Sequence, residues 1–243
     1  MTLAYRSGVG VLLVDLDDTL IPDGAARDSA MMSTLATFGE LPALSPTEIR
    51  VWPVVREEWR ATGLRLVPGL LGVSSWEALW TDFDAALADP EARAAGRAYQ
   101  SRVWRRLLHE SDAAPAEAVF RQAREELVRP FGWVREGLAD WASVHDLWCV
   151  TNGSSWLQRR KLDLAGLKPY FGEVVVSGEV GAEKSDAKFG AQVAERLART
   201  GSEPVAVVGD SDASDGALAS FLGVRHVRVH RGTQPRLNIS LDS

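Results

Sequence analysis

The chain has 243 residues, 46% of them hydrophobic and 25% charged, a composition typical of a globular protein with one large domain or two smaller ones. Its net charge of −6 and the absence of a Lys/Arg run argue against a nucleic-acid partner. Cys149 is the only cysteine, which excludes an intramolecular disulfide and fits a reducing compartment. The first ten residues lack the apolar stretch of a signal peptide, and the apolar run that follows is too short to span a membrane. We therefore expect a cytoplasmic protein without a membrane partner.

The first predicted strand, Val9–Val14, is followed at once by three acids within four positions. They are Asp15, Asp17 and Asp18. Like charges at contact distance repel, so each carboxylate must be solvated, paired or bound to a metal ion. The cluster therefore indicates a site with a compensating positive charge.

Residues 23–129 contain no apolar run of the strand type and are predicted to form several helices. Two candidate capping boxes start helices in this interval, Ser45–Glu48 with Pro46 as the first helical residue, and Ser74–Glu77. Asp89–Pro90 starts another helix. Pro115 is predicted to start a fourth, which ends before Pro130, and Pro53 is predicted to kink or end the helix after Ser45.

After this interval, short apolar runs alternate with helical patterns. The runs predict strands over 147–150, 174–176, 205–208 and 224–229. A helix over Trp156–Ala165 has Ser154 or Ser155 as its N-cap and ends at Gly166, and a later helix buries Phe189, Val193 and Leu197. This alternation predicts an α/β fold with a Rossmann-like parallel-sheet core formed by residues 1–22 and 130–243. The all-helical interval, residues 23–129, is predicted to be a cap inserted after the first strand.

Polar side chains follow several of these strands. Because parallel α/β sheets place their sites at the carboxyl ends of the strands, these side chains are expected to converge. They are Asp15 and Asp17 after the first strand, Thr151 after the second, Lys184 beyond the third, and Asp210 and Asp215 after the fourth.

The four segments that carry these side chains resemble the motifs of the haloacid dehalogenase-like hydrolases. Asp15–Thr19 matches the DxDxT motif, and Thr151–Gly153 is similar to the second motif. Ser177–Asp186 resembles the lysine motif with Lys184 as the lysine, although Ser185 stands where many members have proline. Gly209–Asp215 resembles the acidic fourth motif.

The resemblance implies a role for each motif residue. Asp15 would be the nucleophile that forms an aspartyl-phosphate, and Asp17 the general acid and base. Mg²⁺ would be held by Asp15, Asp210 and the backbone carbonyl of Asp17. The predicted phosphate-binding residues are Thr151, Asn152 and Lys184. Two supporting residues complete the site: Asp215, which would orient the lysine, and Thr19, which would brace the loop or simply form a local turn.

The second acid of the first motif favours phosphoryl transfer, because family members that displace halide lack an Asp at the place of Asp17. The resemblance thus implies a Mg²⁺-dependent phosphohydrolase acting on a small phosphomonoester such as a sugar phosphate or a nucleotide. A phosphomutase or a catalytically silent binding module remains an alternative.

The predicted cap is the region expected to select the substrate. Together with the segment TNGSSWLQRRKL, it resembles the corresponding parts of N-acylneuraminate phosphatase and related nucleotide or sugar phosphatases. The tryptophans of the cap either form its own core or contact a substrate. Its arginines either lie on solvated faces or bind an anionic group of the substrate. These tryptophans and arginines are Trp52, Trp59, Trp76, Trp80, Trp104, Arg56, Arg60, Arg65, Arg102, Arg105 and Arg106. The sequence leaves the oligomeric state and the identity of the substrate open.

Overall fold

A five-stranded parallel sheet organises the computed structural model, which describes residues 10–39, 51–230 and 232–235. The strands lie in the order β3-β2-β1-β4-β5. Their bounds are β1 (Val11–Val14), β2 (Asp146–Thr151), β3 (Glu173–Val176), β4 (Pro204–Gly209) and β5 (Arg225–Arg228). This sheet confirms the predicted α/β fold class, with β1 in the centre and the strand order reversing between β1 and β4. Such a reversal opens the crevice in which α/β proteins bind ligands.

The central strand β1 is buried on both faces of the sheet, which explains its continuous apolar run. Successive side chains of a strand point to opposite faces. Val11 and Leu13 accordingly pack with Phe189 and Val193 on one face. Leu12 and Val14 belong to the apolar cluster on the other face.

The described residues between β1 and β2 form helices and turns without a strand. The helices of the predicted cap interval are α1 (Asp23–Thr37), α2 (Val51–Ala61), α3 (Ser75–Ala78), α4 (Phe83–Ala86), α5 (Pro90–Leu107) and α6 (Glu110–Leu127). The helices of the α/β portion are α7 (Val134–Val144), α8 (Ser155–Ala165), α9 (Ser177–Val180), α10 (Ala187–Thr200) and α11 (Ala217–Leu222). In the described part of the chain, no helix is long and apolar enough to cross a membrane.

Several predicted helix ends are confirmed. Ser74 and Glu77 form the predicted capping box of α3, and Asp89 caps α5, whose first residue is Pro90. Ser154, not Ser155, caps α8, which ends at Gly166 in the left-handed conformation. The strand residue Val9 and the predicted box at Ser45–Glu48 lie outside the described residues.

One prediction from proline was wrong. Pro115 does not start α6, which begins five residues earlier at Glu110. The acids in its first turn favour that start, and Phe120 further along keeps the helix packed despite the hydrogen bond that Pro115 cannot make. Pro53 lies inside α2, which continues to Ala61 and buries Trp59, while the helix start predicted at Ser45 lies outside the described residues.

The helical interval shares its core with the sheet. One continuous apolar cluster contains Leu12 and Val14 of β1 together with Trp59, Trp80 and Trp104 of the interval. These three tryptophans are buried, so they contribute to packing rather than to an exposed surface. The interval is therefore joined to the sheet by apolar contact as well as by its chain connections.

Candidate active site

Asp15 follows β1 and is buried at the carboxyl edge of the sheet. Its Oδ2 accepts a hydrogen bond of 3.0 Å from the Thr19 hydroxyl, which in turn accepts one of 3.1 Å from the backbone N–H of Asp210. Thr19 thus connects the loop after β1 with the loop after β4. Asp18 shapes the turn between β1 and α1, since it adopts a φ of 56° and accepts a hydrogen bond from the Gly24 N–H.

The ammonium group of Lys184 lies between two carboxylates. Its Nζ is 2.5 Å from Asp15 Oδ1 and 2.5 Å from Asp215 Oδ1, and all three side chains are buried. The close approach of Asp215 requires the glycine at 209, because a Cβ there would lie 2.2 Å from the Asp215 carboxylate. The predicted role of Asp215 in orienting the lysine is consistent with this contact.

The acids at this edge form an arrangement that suits a divalent cation. Asp15, Asp210 and Asp215 each offer a carboxylate oxygen, and these oxygens lie within 4.8 Å of one another. With Lys184 as the one ammonium group between them, three ionised carboxylates leave a net charge of −2 in a largely buried place. Carboxylate oxygens are the hard ligands that Mg²⁺ prefers. The residues present therefore fit the metal that the sequence predicted.

Thr151 ends β2 beside this edge. Its hydroxyl accepts a hydrogen bond of 2.6 Å from Gln158 Nε2 of α8. The next residue, Asn152, uses its side-chain oxygen to accept the backbone N–H of Lys184 at 2.9 Å. Asn152 therefore holds the lysine loop against the end of β2, a role that the sequence did not predict. Gly153 has a φ of 135°, which a residue with a side chain rarely adopts.

Asp17 lies on the other side of the Asp15 loop, with both carboxylate oxygens hydrogen-bonded to α8. Its Oδ1 is 2.8 Å from Lys161 Nζ, and its Oδ2 accepts Gln158 Nε2 at 2.8 Å. The Lys161 side chain is fully buried, whereas that of Asp17 is 24% exposed. Helix α8 thus holds the Asp17 carboxylate through two hydrogen bonds, while part of the side chain remains exposed to solvent.

Lys161 also contacts two carboxylates of the helical interval. Its Nζ is 2.6 Å from Glu77 Oε1 and 3.2 Å from Asp23 Oδ1. Arg124 of α6 lies 2.5 Å from the same Asp23 oxygen and is fully buried. We call Lys161, Arg124, Asp17, Asp23 and Glu77 the Lys161 cluster.

Burial determines the protonation behaviour of the two motif aspartates. Desolvation raises the pKa of Asp15 to about 7, although Lys184 acts against this shift. Desolvation likewise raises the pKa of Asp17 to about 8, with Lys161 opposing it. A raised pKa suits the role predicted for Asp17, which would give and then take a proton during turnover.

The structure brings the predicted site residues together at the carboxyl edge of the sheet. Sequence reasoning missed two further residues, Gln158 and Lys161, which contact Asp17. Both lie on the inward face of α8 with Leu157, Leu162 and Ala165. A Gln and a Lys at otherwise apolar positions of a helix that follows a motif strand are the signal that could have revealed them.

A cleft of about 340 Å³ adjoins this site. Its wall includes Trp76, whose indole N–H donates to Asp23 Oδ2 at 3.2 Å. It also includes Gly72, where a Cβ would lie 2.9 Å from Asn152, and Glu183, the neighbour of Lys184. The cleft therefore borders the surroundings of both Lys184 and Lys161.

Three exposed arginines line the same cleft. They are Arg56, Arg60 and Arg65, and none of them forms an ion pair with another described residue. The other predicted cap arginines are paired. Arg102 and Arg106 contact Glu58, and Arg105 contacts Glu110.

Comparisons with known proteins agree with this geometry. The chain is 33% identical over 237 residues to the phosphoserine phosphatase of Thermus thermophilus, an alignment that covers 93% of this chain and 90% of that protein. It is 28% identical over 102 residues to the pyrimidine 5′-nucleotidase PynA of Streptococcus pneumoniae, covering 39% of this chain and 43% of that one.

Among solved structures, the magnesium-bound putative hydrolase YfnB of Bacillus subtilis superposes with a TM-score of 0.58 at 22% identity, over 91% of this chain and 88% of that one. At this identity the superposition shows a shared fold. The family model for haloacid dehalogenase-like hydrolases matches residues 9–221. The chain therefore belongs to the haloacid dehalogenase-like hydrolase family, and its relatives support the phosphatase predicted from its motifs.

Proposed function

We propose that the protein is a Mg²⁺-dependent phosphohydrolase that acts on a small phosphomonoester through an aspartyl-phosphate on Asp15. The observation that carries this proposal is the pair of motif aspartates, each bonded to its own buried lysine at one edge of the sheet. A dehalogenase would need the nucleophile without the second acid. Residues 23–129 would act as the cap that selects the substrate.

In the first half of the reaction, an Asp15 oxygen attacks phosphorus and the bond to the leaving oxygen breaks. Asp17, which starts protonated, gives its proton to that oxygen, so the product leaves as an alcohol. The Thr151 hydroxyl and the Lys184 ammonium group would contact the phosphoryl oxygens and stabilise their charge.

In the second half, water attacks the phosphorus of the acyl phosphate while Asp17 takes one proton from it. The Asp15–phosphorus bond breaks, phosphate leaves and Asp17 is again protonated. Asp15, Asp210 and the backbone carbonyl of Asp17 would hold Mg²⁺, which supplies the charge that offsets repulsion between a carboxylate and a phosphate.

The arginine-lined cleft favours a substrate whose leaving group carries an anion. Three arginines without a carboxylate partner among the described residues suit a carboxylate or a second phosphate, because guanidinium groups bind such anions through two parallel hydrogen bonds. Phosphoserine is the first substrate to test. Its carboxylate would enter the cleft, and a relative that aligns over 93% of this chain is a phosphoserine phosphatase.

Phosphate release from phosphoserine, nucleotides and sugar phosphates tests the proposed activity. Release should require Mg²⁺, and Ca²⁺ should support little turnover because its looser coordination misplaces the reacting groups. Full activity after exhaustive chelation would contradict the metal role. A hexose 1-phosphate should give phosphate or no reaction; conversion to the 6-phosphate would favour the mutase alternative.

Phosphoethanolamine, which is phosphoserine without the carboxylate, tests the cleft. Arg56→Met, Arg60→Met and Arg65→Met should include at least one variant with KM for phosphoserine raised by about tenfold or more, and none should change KM for phosphoethanolamine. Arg97→Met is the matched control, because Arg97 is an exposed arginine of α5 paired with Asp84 and lies outside the cleft. Equal effects on the two substrates would exclude the cleft as an anion site.

A further inference from the structure

The Lys161 cluster is electrically complete without Asp17. Lys161 and Arg124 supply two positive charges, and Asp23 and Glu77 supply two negative ones. All four side chains are at most 6% exposed. A buried set of ions is tolerated when its charges are paired and hydrogen-bonded, and these four residues already satisfy that condition. The contact between Lys161 and Asp17 therefore needs another explanation than neutralisation of the cluster.

Asp17 is the member of the cluster that faces outwards. Its side chain is 24% exposed, compared with 0% for Lys161. Lys161 binds one of its carboxylate oxygens and Gln158 binds the other, from positions three residues apart on α8. Two donors on a packed helix fix the plane of the carboxylate as well as its place.

Helices of the predicted cap hold Lys161 from the opposite side. Glu77 lies in α3 and is fixed by the Ser74 capping box, while Asp23 starts α1 and is fixed by Arg124. Lys161 therefore has little freedom to follow Asp17 if the carboxylate turns, so the lysine defines the position of the acid.

We propose that Lys161, together with Gln158, is a positioning residue that directs the carboxyl group of Asp17 toward the leaving-group oxygen. This inference rests on the proposed phosphohydrolase activity. Correct orientation of a general acid is a condition for its contribution to the rate. Loss of the orientation should slow the departure of a poor leaving group and hardly affect a good one.

The test compares an alkyl ester with an aryl ester. Lys161→Met and Gln158→Met should lower kcat/KM for the best alkyl phosphate by about tenfold to a hundredfold, a fraction of the contribution expected from general acid catalysis. The kcat/KM for p-nitrophenyl phosphate, which reports only the steps up to departure of the leaving group, should change by less than about threefold, because that leaving group needs little protonation. KM for the alkyl ester should change little, since neither residue is assigned to hold the substrate's leaving group.

Gln158→Met provides a second variant in case Lys161→Met does not fold, because replacing a neutral amide leaves no buried carboxylate without a partner. Gln158 also contacts Thr151, but a disturbed phosphate site would slow both esters equally. Arg160→Met is the matched control. Arg160 is on the same helix and bridges to Glu125 of α6, without contact to Asp17, so its alkyl-to-aryl ratio should equal that of the wild type.

A second readout places the same changes in an Asp17→Asn background, with the best alkyl phosphate as substrate. If the two residues act through Asp17, neither change should slow this variant further. A loss of the same size on both esters, or an undiminished loss in the Asp17→Asn background, would overturn the inference. If the wild type releases no phosphate from any ester, the proposed function fails instead.

Discussion

Two buried lysines serve the two motif aspartates, and they differ in where their partners come from. Lys184 contacts Asp15 and Asp215, which both follow strands of the central sheet. Lys161 contacts Asp17 of the same loop as Asp15, but its other carboxylate partners belong to α1 and α3 of the helical interval. Both carboxylate partners of the first lysine follow strands of the sheet, whereas the second lysine connects the loop after β1 with helices of the predicted cap.

This difference separates two tasks. The nucleophile Asp15 and the other carboxylate partner of its lysine, Asp215, follow β1 and β4, and neither belongs to the helical interval. The position of the general acid depends on α8 and, through Lys161, on Glu77 and Asp23. Substrate contacts in the interval could in this way influence proton transfer without touching the nucleophile.

The comparison also explains what the sequence could reveal. Asp15 and Lys184 are 169 residues apart, yet both lie near strand ends, and the carboxyl ends of parallel strands meet at one edge. Lys161 and Glu77 are 84 residues apart, and Glu77 belongs to a short helix whose packing follows from tertiary contacts. No period or motif spacing places that helix over α8. The fold and the first lysine site were therefore predictable, and the Lys161 cluster was not.

Helix boundaries show the same limit. Capping side chains act within a few residues, and the caps at Ser74 and Asp89 were predicted correctly, as was the choice of Ser154 or Ser155 for α8, which Ser154 fulfils. The course of α6 through Pro115 depends on burial of Ala113, Ala116 and Phe120 against neighbouring elements. A local rule for proline could not include that packing.

The largest expected effect is the loss of activity on substitution of Asp15, the carboxylate that contacts Lys184. Asp15→Asn should abolish turnover, with a loss of at least about a thousandfold, because an amide cannot form the acyl phosphate. Its free energy of unfolding should stay within about 1 kcal/mol of the wild-type value or rise, since the change removes one charge from a cluster with excess negative charge. Phosphate release and urea unfolding measure the two quantities.

Asp18→Asn is the control for this change. Asp18 is the adjacent acid of the same turn, and asparagine can still accept the hydrogen bond from the Gly24 N–H. This variant should retain most of the activity. Near wild-type turnover in Asp15→Asn would refute the assignment of the nucleophile.

Substitutions in the Lys161 cluster should instead have a large effect on stability. Arg124→Met should lower the free energy of unfolding by about 3–5 kcal/mol, because the buried Asp23 then keeps only the shared Lys161 as an ion-pair partner. Arg160→Met, which breaks a half-exposed pair with Glu125, should cost less than about 1 kcal/mol. Equal losses in the two variants would mean that burial of the Lys161 cluster contributes nothing special to stability.

Acid should weaken the same cluster. Burial alone would raise the pKa of Asp23, but Arg124 and Lys161 hold it well below the ordinary value of 3.8. A carboxylate with a lowered pKa stabilises the fold above its unfolded pKa, and this contribution is lost as the pH falls toward the folded pKa. The stability difference between wild type and Asp23→Asn should therefore be constant above about pH 5 and shrink below about pH 4.

Urea unfolding at a series of pH values measures this difference, and other titrating groups cancel to a first approximation because both proteins contain them. A difference that is the same at pH 7 and pH 3 would show that Asp23 keeps an ordinary pKa in the folded protein.

The smallest expected effect concerns the capping box that fixes Glu77. Ser74 Oγ lies 2.7 Å from Glu77 Oε2, and the Ser74 N–H donates to the same oxygen at 2.9 Å. Ser74→Ala should lower the free energy of unfolding by about 1 kcal/mol, as expected for a lost N-cap. Turnover should change little, because Glu77 keeps its backbone hydrogen bond and its contact with Lys161 at 2.6 Å.

Ser75→Ala is the matched control for this last change. The Ser75 hydroxyl is buried and makes no hydrogen bond to the described residues, so its removal should leave stability unchanged or slightly higher. Thermal unfolding resolves the two variants, since a difference of 1 kcal/mol moves the midpoint by about 2–4 °C in a chain of this size. Ser74→Ala would contradict this expectation if it lost a large share of its turnover on alkyl phosphates alone. That result would mean that the position of Asp17 depends on Glu77 more strongly than the distances indicate.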